Sequence, residues 1–162
     1  MIHRFCVAPM MDRTDRHERF FLRSLSKKAY LYTEMINANA VLFGNQNELL
    51  KFNECEHPLA IQLGGNDPIK LGDSAIISEA YGYDEINLNI GCPSSKVQNG
   101  EFGAVLMKNP KLVAQCIKSI KDKVKIPVSV KCRIGVDDMN EDKDLSAFIK
   151  EVSESGCKVF IV

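Results

Sequence analysis

The chain has 162 residues, of which 45% are hydrophobic and 26% charged, and its 21 basic residues balance 21 acidic ones. This composition is that of a globular protein with a core of its own, and zero net charge excludes a bulk positive field for nucleic acid, so any RNA contact needs a local patch. No apolar run is long enough to span a bilayer, and no secretory leader follows Met1, so we expect a cytoplasmic protein without a membrane partner.

The cysteines and histidines do not predict a metal site. The six cysteines contain no C-x-x-C pair and no zinc-finger spacing, and the three histidines show no ligand spacing. Free thiols in a reducing cytoplasm are therefore expected. No protein partner is predicted.

Strand-like runs alternate with helical patterns along the chain. The strands are predicted at residues 5–8, 31–35, 59–63, 85–90, 128–133 and 158–162. A first helix is predicted to begin at a cap formed by Thr14 or Asp12, and Asp67-Pro68 and Asn109-Pro110 predict the start of two more. Apolar residues at helical spacing mark the helix bodies: Phe20, Phe21 and Leu25 in the first helix; Val113, Cys116, Ile117 and Ile120 in a later one; and Leu145, Phe148, Ile149 and Val152 in the last, which Gly156 ends. Such βα units predict a parallel sheet.

Polar side chains late in three strands distinguish a barrel from an open sheet. Gln62, Asn87, Asn89, Ser129 and Lys131 alternate with aliphatic residues, whereas a parallel strand buried on both faces reads as a continuous aliphatic run. One polar face predicts a barrel interior with a site at its carboxyl end. A doubly wound sheet is the alternative, but no GxGxxG follows a strand. We therefore predict a TIM (β/α)8 barrel.

The number of strands predicts an incomplete barrel. Six strands are predicted, whereas an eight-stranded barrel needs about 250 residues. The chain also ends within the apolar run 159–162, which would be an unprotected edge strand. We expect residues 1–162 to be the N-terminal part of the barrel, truncated after about six strands.

Cys92 is the candidate catalytic residue. It lies in the run NLNIGCPS at 87–94, where a buried strand leads into a Gly/Pro turn. The carboxyl ends of strands are where α/β barrels keep their chemistry. A structural cysteine more often lies among aliphatic residues. A free thiol has a pKa of about 8.5, so it is mostly protonated at neutral pH and can act as an acid.

Four blocks of the chain resemble the tRNA-dihydrouridine synthases. They are APMMDRTDR at 8–16, QLGG at 62–65, NLNIGCPSSKVQNGEFGAVLM at 87–107 and VKCRIG at 130–135. The short runs RH at 16–17 and YTEM at 32–35 resemble the corresponding runs of the bacterial DusA-type subfamily. The resemblance implies an FMN-binding barrel that uses NADPH to reduce the C5–C6 bond of D-loop uridines in tRNA, with Cys92 as the general acid.

The same resemblance implies roles for other residues. Pro9, Met10, Met11, Gln62 and Lys131 would bind FMN, with Lys131 placing a cation near the reduced flavin and Gln62 offering a donor and an acceptor.

For the substrate, the resemblance implies that Asn89 contacts the target nucleotide, because an amide suits a uracil edge. A structural role for Asn89 in the loop is the alternative. Arg133, Lys96 and Arg16 are candidates for RNA phosphate contacts, although surface cations are usually only solvated.

The resemblance also implies elements that residues 1–162 do not include. The FMN phosphate would be held by loops after the seventh and eighth strands, and a C-terminal helical domain would help to grip tRNA. Without them, residues 1–162 are expected to bind FMN poorly and to have little or no activity.

Three other functions remain open from the sequence. The chain could belong to another FMN barrel that acts on a small pyrimidine, as a dihydroorotate dehydrogenase relative does; reduction of tRNA but not of small pyrimidines separates the two. It could instead be a non-catalytic RNA-binding barrel or inactive fragment, which RNA binding without dihydrouridine formation by the parent would favour. Unchanged product after replacement of Cys92 by Ala would remove catalysis from that residue. A βα-repeat domain without flavin is the third alternative.

Overall fold

A computed structural model describes residues 4–162, except for the side chain of Lys96. The elements are α1 (Arg16–Leu25), β1 (Leu31–Asn37), α2 (Ala38–Phe43), α3 (Gln46–Leu49), β2 (Leu59–Gly64), α4 (Pro68–Tyr81), β3 (Glu85–Ile90), α5 (Ser95–Gln98), α6 (Pro110–Lys123), β4 (Val128–Cys132), α7 (Lys143–Glu154) and β5 (Val159–Ile161). Short 3-10 helices lie at Glu54–Glu56 and Gly103–Lys108. Within this part of the chain, no helix is both long and apolar enough to cross a membrane.

The strands of residues 4–162 form one five-stranded parallel sheet in the order β1-β2-β3-β4-β5. A doubly wound sheet reverses its strand order at a switch point, and this sheet does not. Each strand instead pairs with the next one along the chain, as in the wall of a barrel. The structure thus establishes an α/β fold with a continuous parallel sheet.

The prediction of a strand at residues 5–8 is wrong. Only an isolated bridge joins Cys6 to Tyr30, supported by a 2.9 Å hydrogen bond from the Val7 N–H to the Tyr30 carbonyl. Pro9 follows directly, and a proline has no N–H to extend such a ladder. The segment still lies beside β1, at the edge of the sheet where a first strand was expected.

The two faces of the sheet differ in the way that the strand pattern predicts. Leu59, Ile61 and Leu63 of β2 belong to the main hydrophobic core, which α4 and α6 cover. The opposite face of β2 carries Ala60 and Gln62, both fully buried. Ala60 packs there with Tyr30, Tyr32 of β1 and Ile161 of β5, which lies at the other end of the sheet. Contact between its two ends shows that the sheet curls around its polar face.

Two of the predicted helix starts are confirmed. The Asp67 side chain caps α4, the Asn109 side chain caps α6, and a proline follows each cap. The prediction for α1 is wrong, because its cap is Asp15, whose carboxylate accepts hydrogen bonds from the N–H groups of His17 and Glu18. Thr14 instead bonds to the backbone of Met10.

Helix α1 exposes three of its four large apolar residues, whereas Leu22 packs against the core. Phe20, Phe21 and Leu25 are 52%, 60% and 69% exposed, whereas Arg19 and Arg23 are buried. Helical spacing alone does not say which face turns inward, and here an ion pair decides it. The Arg19 Nε lies 2.7 Å from a carboxylate oxygen of the buried Glu56.

Candidate active site

The turn that carries Cys92 is held by the side chain of Asn89. The Asn89 Oδ1 accepts hydrogen bonds from the N–H groups of Gly91 (3.1 Å) and Cys92 (2.9 Å). Since Asn89 is the last polar residue of β3 and is 8% exposed, the turn is tied directly to the sheet. The thiol is therefore mounted on an ordered support at the carboxyl end of a strand.

A second contact holds the turn from the other side. The carbonyl of Cys92 accepts a 2.9 Å hydrogen bond from the N–H of Ala104. Gly103, just before it, has φ +72°, and a Cβ there would lie 2.7 Å from that same carbonyl oxygen. Only glycine adopts this backbone without strain. The loop after α5 therefore closes tightly against Cys92.

The thiol of Cys92 remains accessible. The residue is half-buried, and its Sγ lies 3.7 Å from the Oγ of Ser94. Cys116, Cys132 and Cys157, by contrast, are buried. Cys92 is the cysteine that combines partial exposure with a hydrogen-bonded turn at the polar end of the sheet.

Arg133 braces the same turn. It follows β4 directly and is exposed, and its Nε donates a 2.7 Å hydrogen bond to the carbonyl of Gly91. The predicted strand 128–133 ends one residue earlier, at Cys132. A contact of Arg133 with the substrate stays a prediction.

Gln62 lies inside a network of buried polar side chains. Its Nε2 donates to the Oδ1 of Asn87 (2.7 Å), and its Oε1 accepts from the Nδ2 of Asn89 (2.8 Å). Asn87 in turn donates to the Oγ of Ser129 (2.7 Å), and Ser129 donates to Glu85. Each of these amides thus has at least two partners, so the polar face of the sheet is rigid.

Glu85 anchors the far end of this network. It is 1% exposed and hydrogen-bonded to both Tyr30 and Tyr32. Burial, and then the charge of Glu85, raise the pKa of both tyrosines far above the usual value. Both phenols therefore stay protonated at working pH.

A cavity of about 480 Å³ opens beside the network. Its walls come from both ends of the curled sheet, with Pro9 and Tyr32 on one side and Lys131, Phe160 and Ile161 on the other. In the sheet, Lys131 is paired with Asn89 of β3 and with Ile161 of β5. The cavity thus offers apolar walls and one cation close to the polar layer.

The structure brings only some of the predicted cofactor residues together. Pro9 and Lys131 share the 480 Å³ cavity, and Gln62 lies in the neighbouring network. Met11 and Arg16 instead line a different cavity of about 430 Å³ beside β1, and Met10 is exposed. The roles predicted for these residues stay predictions. The side chain of Lys96 lies outside the described part.

Three members of the network, Glu85, Asn87 and Ser129, were missed as functional candidates. Glu85 begins β3 and Ser129 lies within β4, both on the polar face. Their alternation with aliphatic residues is visible in the sequence, but only the tertiary structure shows that their side chains contact one another. Across residues 4–162, no three metal-ligating side chains come together.

Comparison with known proteins gives one consistent result. The model of the family "Dihydrouridine synthase (Dus)" matches residues 6–162. The chain is 55% identical over 160 residues to the tRNA-dihydrouridine(20/20a) synthase of Escherichia coli K12, covering 98% of this chain and 46% of the relative. It is 53% identical to the protein of that name from Synechocystis, covering 99% and 48%, and 52% identical to that from Pseudomonas aeruginosa, covering 98% and 48%. The chain thus spans about half the length of these relatives.

Proposed function

Since the chain belongs to the dihydrouridine synthase family, we propose that it forms the N-terminal part of the FMN-binding TIM-barrel domain of a tRNA-dihydrouridine synthase. The observation that carries this proposal is the half-exposed Cys92 on a turn held by Asn89, whose partner in the sheet, Lys131, lines the 480 Å³ cavity. The sequential order and curl of the sheet support the barrel.

The proposed reaction is the NADPH-driven reduction of the C5–C6 bond of a D-loop uridine in tRNA. The relatives carry the name tRNA-dihydrouridine(20/20a) synthase, which supports tRNA as the substrate here. We assign the reaction to the cytoplasm, because a reducing compartment preserves a thiol acid.

The 480 Å³ cavity suits a flavin. Pro9, Phe160 and Ile161 offer flat apolar walls, and Lys131 offers a cation for an electron-rich ring. We assign Pro9, Lys131 and the adjoining Gln62 to FMN, with Met10 and Met11 next to them in the chain. FMN bound there would supply the hydride for C6 of uracil.

Cys92 supplies the proton in this proposal. Its thiol gives up the proton to C5 of the uracil ring, and the resulting thiolate is reprotonated from solvent, to which the half-exposed residue has access. The target base must be extruded from the folded RNA to reach this point. Asn89 would contact the uracil edge with its remaining amide hydrogen, and Arg133 the neighbouring phosphate.

Replacing Cys92 tests the proposal. In a full-length synthase that contains this segment, we expect Cys92→Ala to lower the rate of dihydrouridine formation at least about 100-fold, the usual contribution of a general acid, when tRNA nucleosides are analysed by mass spectrometry. Cys55→Ala removes an exposed cysteine away from the turn and should leave the rate unchanged. Equal rates in parent and Cys92→Ala would contradict the role of Cys92.

The substrate separates this function from that of a small-pyrimidine oxidoreductase. We expect reduction of unmodified tRNA but not of free uracil or orotate. Turnover of a free pyrimidine alone would favour the alternative enzyme class.

A further inference from the structure

A chain of side-chain hydrogen bonds crosses the polar face of the sheet and ends at the Cys92 turn. It runs through Glu85, Ser129, Asn87, Gln62 and Asn89, and finally reaches the N–H groups of Gly91 and Cys92. These residues come from three strands, so the turn is linked to the middle of the sheet.

The Cys92 turn fixes which group donates and which accepts in each of these hydrogen bonds. A backbone N–H can only donate, so the oxygen of Asn89 must face Gly91 and Cys92. Its amide nitrogen must then face away, where it donates to Gln62 at 2.8 Å. The Gln62 nitrogen is thereby directed to the oxygen of Asn87 at 2.7 Å.

The far end imposes the same direction. The carboxylate of Glu85 accepts, so Ser129 gives it the single hydrogen of its hydroxyl. The Ser129 oxygen must then accept, and it does so from the Asn87 nitrogen at 2.7 Å, which leaves the Asn87 oxygen to face Gln62. Both ends of the chain therefore agree on one orientation for every amide between them.

We infer that Glu85, Ser129 and Asn87 are positioning residues for Cys92. They act through Gln62 by fixing the orientation of the amide that supports the turn. The catalytic meaning of this positioning rests on the proposed function, whereas the positioning itself does not.

Burial explains why the orientation is transmitted. Glu85, Asn87, Gln62 and Ser129 are each at most 1% exposed, so water cannot easily replace a lost partner. A buried donor or acceptor without a partner is costly, and networks of this kind respond as a unit. Removing one link leaves its neighbours to reorient.

The test compares Ser129→Ala with Ser129→Thr in the full chain. Alanine removes the link, whereas threonine keeps the hydroxyl and suits a strand. We expect Ser129→Ala to speed hydrogen exchange at the amides of Gly91 and Cys92 about tenfold or more, and Ser129→Thr to restore the parent rate. The amides of Ile117 and Ile120 in α6 report global unfolding and should exchange at the rates of the parent protein.

Asn87→Asp provides a second variant of unchanged shape. An aspartate carboxylate has no donor for the Ser129 hydroxyl. The change therefore removes the bond that Asn87 donates, without opening a cavity. We expect the same local acceleration at Gly91 and Cys92. In the dihydrouridine assay, both disruptive variants should lower kcat while leaving KM for tRNA unchanged.

The outcomes separate this inference from the proposed function. Unchanged exchange at Gly91 and Cys92 in both disruptive variants overturns the positioning role, even in an active enzyme. Equal acceleration in α6 also overturns it, because the residues would then contribute only to global stability. If the parent forms no dihydrouridine but exchange rises locally, the proposed function fails and the positioning role holds.

Discussion

At the scale of single residues, the candidate site is built from amides. Asn89 was predicted to contact the substrate, with support of the loop as the alternative, and the structure shows that its oxygen supports the loop. Its residue type and its place on the polar face could be read from the sequence. Its bond to Gln62 could not, because Gln62 lies on another strand.

The buried thiols make the free energy of unfolding depend on pH in the alkaline range. Burial raises the pKa of Cys116 to about 12 and that of Cys132 to about 11. In the unfolded chain a thiol ionises near pH 8.5. The folded state therefore holds protons that the unfolded state has lost, and this contribution to stability is complete below about pH 8.5 and lost as pH rises towards 11.

We expect Cys132→Ala to lessen the fall in the free energy of unfolding between about pH 8.5 and 11, because one of these thiols is removed. Urea titrations at a series of pH values measure this free energy for each variant. The exposed Cys55→Ala variant should follow the parent curve. Parallel curves for parent and Cys132→Ala would contradict the linkage.

At the scale of the elements, α1 shows how tertiary contacts override a sequence pattern. Its apolar residues suggested an inward face, yet the buried side chains are Arg19 and Arg23. Arg19 pairs with Glu56, and Arg23 donates to the carbonyl of Glu56. The helix is thus joined to the segment before β2 by charge and hydrogen bonds.

Breaking this ion pair should be costly. We expect Glu56→Gln to lower the free energy of unfolding by about 3–5 kcal/mol, because Arg19 would stay buried without a counter-charge. Glu54→Gln lies in the same 3-10 helix, but the Glu54 side chain is 98% exposed, so it should change stability by less than about 0.5 kcal/mol. Denaturant titration measures both, and equal effects would contradict the importance of the pair.

Gly103, after α5, and Gly135, after β4, form a matched pair of glycines. A Cβ on Gly103 would lie 2.6 Å from the Val97 Cγ1 and 2.7 Å from the Cys92 carbonyl, whereas the nearest atom to a Cβ on Gly135 is 3.7 Å away. We expect Gly103→Ala to lower Tm and to reduce dihydrouridine formation at least about tenfold, because a 1 Å displacement of a reacting group can cost about 100-fold. Gly135→Ala should change neither. Normal activity of Gly103→Ala would show that the loop tolerates the shift.

At the scale of the whole molecule, the sheet curls but its described strands do not close it. Residues from its two ends, including Pro9 and Phe160, face one cavity. In a barrel, loops after the seventh and eighth strands bind phosphate, and the described chain forms five strands. The described strands therefore supply the apolar cavity that we propose for the flavin ring.

This geometry leads to a prediction for FMN binding. We expect a polypeptide of residues 1–162 to bind FMN at least about 100-fold more weakly than a full-length relative, because charge-assisted phosphate hydrogen bonds contribute about 1.5–3 kcal/mol each. Flavin fluorescence titration measures both. Tight binding of one flavin per chain would contradict it.

The sequence by itself determined the α/β class, five of the six predicted strands, and the starts of α4 and α6. These depend on local periodicity and caps, which neighbouring residues carry. It also made Cys92 a candidate and predicted the polar face of the strands. The position of the first edge segment and the inward face of α1 were decided only by tertiary structure. So was the link from Glu85 to Cys92, because its hydrogen bonds join strands that lie far apart in the chain.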